Sequence, residues 1–175
     1  WARRRESTSA PVASSLKASA ADYKILSIHT GREKFIVLDK GQRAKFERAV
    51  QEAGVDLIIG HHPHVVRSVA VGPHKAVFFS LGNYLMPGAA EIGGRALGAD
   101  YGLMSRVYLQ WDGVSKRMEI EAIEVIPLER MPTNPRPMPA AEGIKRIGHL
   151  NQLNAQELGA EGAVFKARGD GSGLL

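Results

Sequence analysis

The stretch that decides the fold is Val55-Asp56-Leu57-Ile58-Ile59-Gly60-His61-His62-Pro63-His64. Its apolar run is short and ends at a glycine and a polar cluster, which is typical of a buried strand that leads into a loop. We predict a strand over Val55–Ile59, with the histidines just beyond its carboxyl end. Loops at that end of a strand are where α/β proteins commonly build their sites.

An amphipathic helix is predicted ahead of this strand, over Gln42–Ala53. Its apolar residues fall at i, i+3, i+4 and i+7, and Gly54 provides a C-terminal stop. An earlier apolar run, Tyr23–His29, predicts a strand that ends at His29. The order strand, helix, strand implies a parallel pair with a right-handed crossover, so His29 and the later histidines should share one edge of a sheet.

Three further elements are predicted downstream. The run Ala76–Leu81 predicts a strand that ends in Gly82-Asn83. Leu103–Trp111 and Arg117–Ile126 alternate between apolar and polar residues, and together they predict a β-hairpin. After a Pro-rich connector over Pro127–Pro139, a helix is predicted over Ala140–Leu158, with its inward residues at Ile144, Ile147, Leu150 and Leu153.

The domain organisation follows from composition along the chain. A length of 175 residues suffices for one ordinary domain. Residues 1–22 are rich in Ala, Ser and Arg without an apolar period, so we expect a linker or cut end there and order from about Tyr23. Residues 23–160 then form the folded unit, and 161–175 form a tail that frays over Gly169–Gly173. Because Trp1 cannot be a native initiator, we expect further sequence ahead of it.

Composition narrows the possible partners. The chain has no cysteine, so a metal would bind through nitrogen or oxygen ligands. Part of the net charge of +5 comes from Arg3, Arg4 and Arg5, which we interpret as a solvated tail, with no nucleic acid partner. The longest apolar runs are far shorter than the ~20 residues that span a bilayer.

The histidines favour a metal site. Residues i and i+2 of an extended segment project to the same side, so His62 and His64 can face one ion, with Pro63 restraining His62 toward extended conformations. His29 would join them from the neighbouring strand end. Imidazole suits divalent transition metals, with Mn, Zn and Fe as the candidates. The alternative is a set of solvent-exposed loop histidines. His61 can turn away, bind a phosphate oxygen or support another ligand.

Three ordered blocks resemble one known family. The stretch from Val55 to Val66 is similar to the histidine block of the CapA family of capsule and poly-gamma-glutamate biosynthesis proteins, and Ser80-Leu81-Gly82-Asn83-Tyr84 is similar to its next block. Ser27–Glu33 resembles the family's Ser-x-His-Trp-Gly-x-Glu block, with Thr30 in place of the usual Trp. The resemblance runs from about Tyr23 to Tyr84.

The resemblance implies a fold and a set of ligands. The family is related to calcineurin-like metallophosphoesterases, whose α/β fold is a four-layer αββα sandwich that holds two divalent metals. This chain would supply the carboxy-terminal half, with His29, His62 and His64 as metal ligands. The family's aspartate and Asn-His blocks have no counterpart before Tyr23, so the missing amino-terminal half of the same protein is an expected partner.

The resemblance also implies roles for other residues. His61, Asn83 and Glu33 are the candidate catalytic residues, although Glu33 can equally be a solvated carboxylate and Asn83 a strand stop. Asp56 lies at the far end of its strand, where we expect it to cap or pair with a charge.

Two functions stay open at this point. The first is a metallophosphoesterase-like enzyme of surface-polymer synthesis that acts on a phosphorylated or polyanionic substrate. The second is a non-catalytic subunit or interaction module of a membrane-bound polymer synthase complex. For both, the family resemblance suggests the cell surface or the periplasm.

Overall fold

A computed structural model describes residues 9–87 and 101–175 of the chain, so the basic tail at Arg3, Arg4 and Arg5 lies outside the described residues. The predicted α/β class, with a mixed sheet, a β-hairpin and a C-terminal helix, is confirmed. In chain order the elements are α1 Ser9–Ala18, β1 Ile25–His29, α2 Lys40–Ala53, β2 Leu57–His61, β3 Val69–Gly72, β4 Lys75–Phe78, β5 Gly102–Asp112, β6 Arg117–Glu129, β7 Arg136–Pro137, α3 Ala140–Leu158, a 3-10 helix Gly159–Glu161, β8 Lys166–Ala167 and β9 Gly173–Leu174.

The first sheet has the strand order β1-β2-β4-β3. Strands β1, β2 and β4 are parallel, and β3 pairs antiparallel with β4. The predicted parallel pair is therefore confirmed, and its register sets His29 beside His61. Because parallel strands end at the same edge, the loops after β1, β2 and β4 meet there.

Helix α2 is capped at both ends. The Asp39 carboxylate accepts a hydrogen bond from the Gln42 amide at 2.7 Å, which is the usual N-cap interaction. Gly54 ends the helix in the left-handed conformation, with φ 66°, and its amide donates to the Ala49 carbonyl. Phe46 stacks on Phe79 with 5.3 Å between ring centroids, which fixes the helix on the first sheet.

Strands β2 and β4 of the first sheet are covered on both faces, whereas every second residue of β1 is exposed. One face packs against α1 and α2, through a core that includes Phe46, Ile58 and Phe79. The other packs against the second sheet, whose order is β5-β6-β9-β8 with β7 also paired to β6, and α3 adds Ile147 and Leu150 to that core. None of the helices in the described residues is both long and apolar enough to cross a bilayer.

Two expectations about the ends of the chain are wrong. Order is expected to begin near Tyr23, but α1 forms ahead of it and places Ala13 and Leu16 against the core that α2 shares. Residues Gly169–Gly173 do not fray, because Ser172 is 4% exposed and β9 pairs with both β6 and β8. Both terminal segments gain order from packing partners that lie far away in the sequence.

Helix α3 differs from its predicted inner face at one position. Ile147, Leu150 and Leu153 are buried as predicted, but Ile144 is 42% exposed. Arg146 and Asn154 are buried on the same helix instead. Strand β3, over Val69–Gly72, was not predicted, since its four residues are too few to show a period.

Candidate metal centre

Three loops meet at the carboxyl edge of the first sheet. We call residues 30–39 the first loop, 62–68 the second loop and 79–83 the third loop. The amide of Thr30 donates to the His61 carbonyl at 3.0 Å, and that of Lys34 donates to the Pro63 carbonyl at 2.9 Å. The amide of Leu81 donates to the Gly60 carbonyl at 3.1 Å, so the three loops are joined through backbone groups.

His62 lies between the other candidate ligands. Its Nδ1 is 3.0 Å from His29 Nε2, and the two ring centroids are 4.7 Å apart. On its other side, His62 Nε2 is 3.9 Å from the Glu33 carboxylate. His64 completes a group in which one donor atom each from Glu33, His62 and His64 lies within 4.8 Å of the others. The structure thus brings together three predicted histidines and one predicted carboxylate.

Asn83 fixes the orientation of His64. The side-chain oxygen of Asn83 lies 2.8 Å from His64 Nδ1, and its amide nitrogen donates to the His64 backbone carbonyl at 3.3 Å. An amide oxygen can only accept, so the imidazole proton sits on Nδ1 and Nε2 is left free as a donor to a metal. Asn83 is 8% exposed, and its contact with His64 is partly buried.

The backbone of the second loop is not extended as predicted. His62 and His64 both lie in the left-handed region, with φ of 96° and 60°. Their convergence therefore comes from two left-handed residues around Pro63, and not from the alternation of a strand. In the first loop Lys34 also has φ 64°. Such residues cost roughly 1–3 kcal/mol each and concentrate at functional sites.

His61 adjoins this group without belonging to it. It is the last residue of β2 and is half buried beside His29 on the neighbouring strand. Burial, and secondarily the charge of His29, lower the pKa of His61 below its ordinary value. His61 is therefore neutral at neutral pH, and the predicted catalytic role for it stays a prediction.

The donor set suits a divalent transition metal. Two imidazole nitrogens at 3.0 Å match neighbouring ligands on one ion, because bonds of about 2.1 Å at right angles end about 3 Å apart. The donor atoms of Glu33, His62 and His64 lie within 4.8 Å of one another, close to the roughly 4 Å that one ion can bridge. Glu33 has a 54% exposed side chain and can move inward. The residues present fit a metal.

Comparison with known proteins shows which family the part of the chain with these loops matches. Residues 2–87, which include all three loops, match the family model described as bacterial capsule synthesis protein PGA_cap. The chain belongs to the CapA family. It is 38% identical over 65 residues to the PGA biosynthesis protein CapA of Bacillus subtilis (strain 168), an alignment that covers 37% of this chain and 17% of the relative.

A second relative is matched over most of this CapA-family chain. The capsule biosynthesis protein CapA of Bacillus anthracis is 29% identical over 154 residues, which is 88% of this chain and 33% of the relative. The chain thus spans a third or less of the length of these two relatives.

Two buried residues of this CapA-family chain were missed by the sequence interpretation. Arg67 is 0% exposed and Gln42 is 2% exposed, although both residue types usually face solvent. They contact each other, with the Arg67 Nη1 donating to the Gln42 side-chain oxygen. Their positions in the sequence could have identified them. Arg67 follows His64 by three residues, and Gln42 lies in the first turn of the helix that follows the first loop.

A recess beside the histidines carries positive charge. It encloses about 330 Å³ and is lined by Thr30, Gly31, Arg32, Asp39, Gly41, Gln42 and Lys45. The Lys45 ammonium lies 3.5 Å from the Thr30 hydroxyl, and the Arg32 guanidinium lies 3.6 Å from the centroid of the Phe35 ring.

Asp56 takes no part in this site. Its carboxylate accepts from the Lys24 amide at 2.8 Å and lies 3.8 Å from Arg117, at the opposite end of β2.

Proposed function

We propose that this chain is the histidine-bearing part of a metallophosphoesterase-like, divalent-metal site in a CapA-family protein of capsule or poly-gamma-glutamate biosynthesis. His29, His62 and His64 act as metal ligands, and Glu33 supplies a carboxylate at their side. The observation that carries the proposal is the facing pair of imidazole nitrogens at 3.0 Å, with two further donors close by. Mn, Zn and Fe are the candidate ions.

By the family resemblance, the complete site would hold up to two divalent ions. His29 and His62 are close enough to share an ion, and donor atoms of Glu33, His62 and His64 lie within 4.8 Å of one another. In two-metal sites the ions are about 3.5–4 Å apart and share neighbouring ligands. The remaining ligands would come from the missing amino-terminal half, which is the expected partner of this chain.

The proposed chemistry is hydrolysis of a phosphoester, in which water attacks the phosphorus, the P–O bond to the leaving alcohol breaks and that alcohol takes up a proton. When bound, the ions would polarise a phosphoryl oxygen and lower the pKa of a bound water. Asn83 holds His64 with Nε2 free, and the neutral His61 stands beside the ligands, where it can accept a proton or contact a substrate oxygen. A phosphorylated or polyanionic substrate suits the recess, because Arg32 and Lys45 line it.

A second candidate function is a non-catalytic subunit or interaction module of a membrane-bound polymer synthase complex. It is favoured by the carboxylate count, since Glu33 is the single carboxylate that the described residues bring into the histidine group. Assay of the complete protein decides between the two functions: hydrolysis of a phosphodiester supports the enzyme, and metal binding without hydrolysis supports the module.

Metal binding by this chain is tested by calorimetric titration with Mn²⁺, Zn²⁺ and Co²⁺. We expect binding by the wild type and a loss of at least about 100-fold in affinity in the double variant His62→Ala plus His64→Ala, because two imidazole ligands are removed. His74→Ala is the matched control, since His74 pairs with Glu119 away from the loops. Equal metal affinity of the wild type and the double variant would contradict the proposal.

A further inference from the structure

Arg67 is a completely buried cation at the centre of the three loops. Its Nε donates to the Phe35 carbonyl at 2.9 Å, and its Nη2 donates to the Arg32 carbonyl at 2.8 Å. Its Nη1 contacts the Asp39 carboxylate at 3.3 Å and the side-chain oxygen of Gln42. A side chain of the second loop thus holds the first loop on both sides of Glu33 and as far as the helix cap.

Gln42 extends this contact to the third loop. Its side-chain nitrogen donates to the Thr30 carbonyl and to the Phe79 carbonyl, each at 3.0 Å. Thr30 follows His29 directly, and Phe79 begins the loop that carries Asn83. Together, Arg67 and Gln42 therefore contact all three loops that present the candidate ligands.

Arg67 does not line the recess, and Gln42 borders it with a side chain that is only 2% exposed. Both are buried, and every contact described above is to backbone carbonyls, to Asp39 or between the two residues. Burial of a guanidinium costs free energy unless its donors are matched with acceptors. Here the matched acceptors belong almost entirely to the first loop, so this cost is offset only when that loop is in place.

We propose that Arg67 and Gln42, which we call the buried pair, are positioning residues that set the distance between Glu33 and the histidines and so set the affinity of the metal centre. This inference rests on the proposed function for its metal readout. The holding of the first loop by the buried pair can be observed without any metal. The two claims can therefore fail separately.

Three variants test different contacts of the buried pair. Arg67→Met removes all four contacts of the guanidinium, whereas Arg67→Lys keeps the charge but not the planar fork. Gln42→Glu keeps the shape and the contact with Arg67, yet it turns a carboxylate oxygen toward the carbonyls of Thr30 and Phe79. Gln42→Glu also keeps the test valid if Arg67→Met does not fold.

Glu124→Gln is the matched control. Glu124 is 6% exposed and pairs with Arg106 and Arg168 on the second sheet. Its replacement disturbs a buried ion pair of similar kind in another part of the fold. Urea denaturation of each protein gives the global stability against which the local effects are compared.

The first measurement is amide hydrogen exchange of the metal-free proteins. We expect the Lys34 amide, which donates to the Pro63 carbonyl, to exchange at least tenfold faster in Arg67→Met and Gln42→Glu than in the wild type. The exchange rate in Arg67→Lys should lie between that of the wild type and that of Arg67→Met. The rate in Glu124→Gln should match the wild type after correction for global stability. Unchanged Lys34 exchange in both strong variants would overturn the inference, whatever the metal does.

The second measurement uses Co²⁺ as a probe, with its affinity and visible absorption spectrum as readouts. We expect affinity to fall about 10- to 100-fold in Arg67→Met and Gln42→Glu, with an altered spectrum, because groups that orient ligands have effects of that size. Wild-type affinity and spectrum in both variants would overturn the inference while leaving the metal site intact. Absence of Co²⁺ binding by the wild type would instead overturn the proposed function.

Discussion

At the residue scale, the candidate ligands are oriented by polar neighbours. The side-chain oxygen of Asn83 accepts a hydrogen bond from His64 Nδ1 at 2.8 Å, and His29 Nε2 lies 3.0 Å from His62 Nδ1. Two left-handed residues, His62 and His64, aim the rings, and Pro63 between them limits their freedom. The rings are therefore set before any ion arrives, which lowers the entropy that ligation would otherwise cost.

Tyr23 gives a prediction about alkaline stability. Its hydroxyl is buried without a hydrogen-bond partner among the described residues, and burial, followed by the charge of Asp56, raises its pKa to about 12. Since the unfolded phenol ionises near pH 10, the stabilising contribution of this group is complete below about pH 10 and is lost as the pH rises toward 12.

We therefore expect Tyr23→Phe to lose less stability than the wild type between pH 10 and 12. At pH 7 it should be equally stable or more stable by up to ~1 kcal/mol, because an unsatisfied buried hydroxyl is removed. Urea denaturation at pH 7, 10 and 11 measures both effects. Tyr84→Phe is the control, since Tyr84 is 65% exposed. Parallel pH dependence of wild type and Tyr23→Phe would contradict this account.

At the element scale, the long periodic segments could be predicted and the short ones could not. Helices α2 and α3 and the hairpin carry enough residues to display a period. The positions of the loops after β1 and β2 could be predicted from the order strand, helix, strand. Strand β3 depends on its pairing with β4, and α1 depends on packing against α2, so neither is visible locally.

The candidate site, like the fold, could be predicted only in part. The histidines were found because polar residues beyond strand ends meet at one edge of a parallel sheet. The left-handed backbone of the second loop and the burial of Arg67 were not found. Both depend on tertiary contacts, with the Pro63 carbonyl and with the carbonyls of the first loop, that are distant in sequence.

Gly60 gives a prediction at the element scale, because β2 and β4 approach closely at this residue. A Cβ atom there would collide with the Phe79 carbonyl oxygen and lie 2.7 Å from that of Phe78. We expect Gly60→Ala to lower the free energy of unfolding by about 3 kcal/mol, or to prevent folding, since backbone cannot yield as a side chain does. Gly72→Ala, with no heavy atom within 4 Å of its Cβ, is the control for thermal denaturation. Equal melting temperatures for the two variants would show that the strands can separate without cost.

At the scale of the whole molecule, ion pairs join the two sheets, and the C-terminal segment pairs with the second sheet. His74, between β3 and β4, pairs with Glu119 on β6, and Arg117 lies 3.8 Å from Asp56. The amide of Leu175 donates to the Ile123 carbonyl at 2.9 Å, and the Leu175 carbonyl accepts from the Ile123 amide at 3.1 Å. The last residues thus extend the second sheet along its central strand β6.

Removal of residues 171–175 should therefore destabilise the whole molecule. We expect a loss of about 2 kcal/mol or more, from hydrogen bonds of about 1 kcal/mol each and from exposed core. Leu174→Ala plus Leu175→Ala is the control that keeps the backbone pairing, and both side chains are already more than a third exposed. Urea denaturation compares the three proteins, and an unchanged midpoint after truncation would show that β9 contributes nothing.

The shared attachment of the three loops to Arg67 and Gln42 limits how such a centre can be altered. A segment transplanted from a relative into one loop would meet hydrogen-bonding groups arranged for the original neighbours. Exchanges of single loops should therefore give poorly ordered chimaeras, whereas exchange of 30–42, 62–68 and 79–83 together should be tolerated. Diversity at this edge of the fold is expected to arise in sets of changes, with the unit of variation being the triplet of loops.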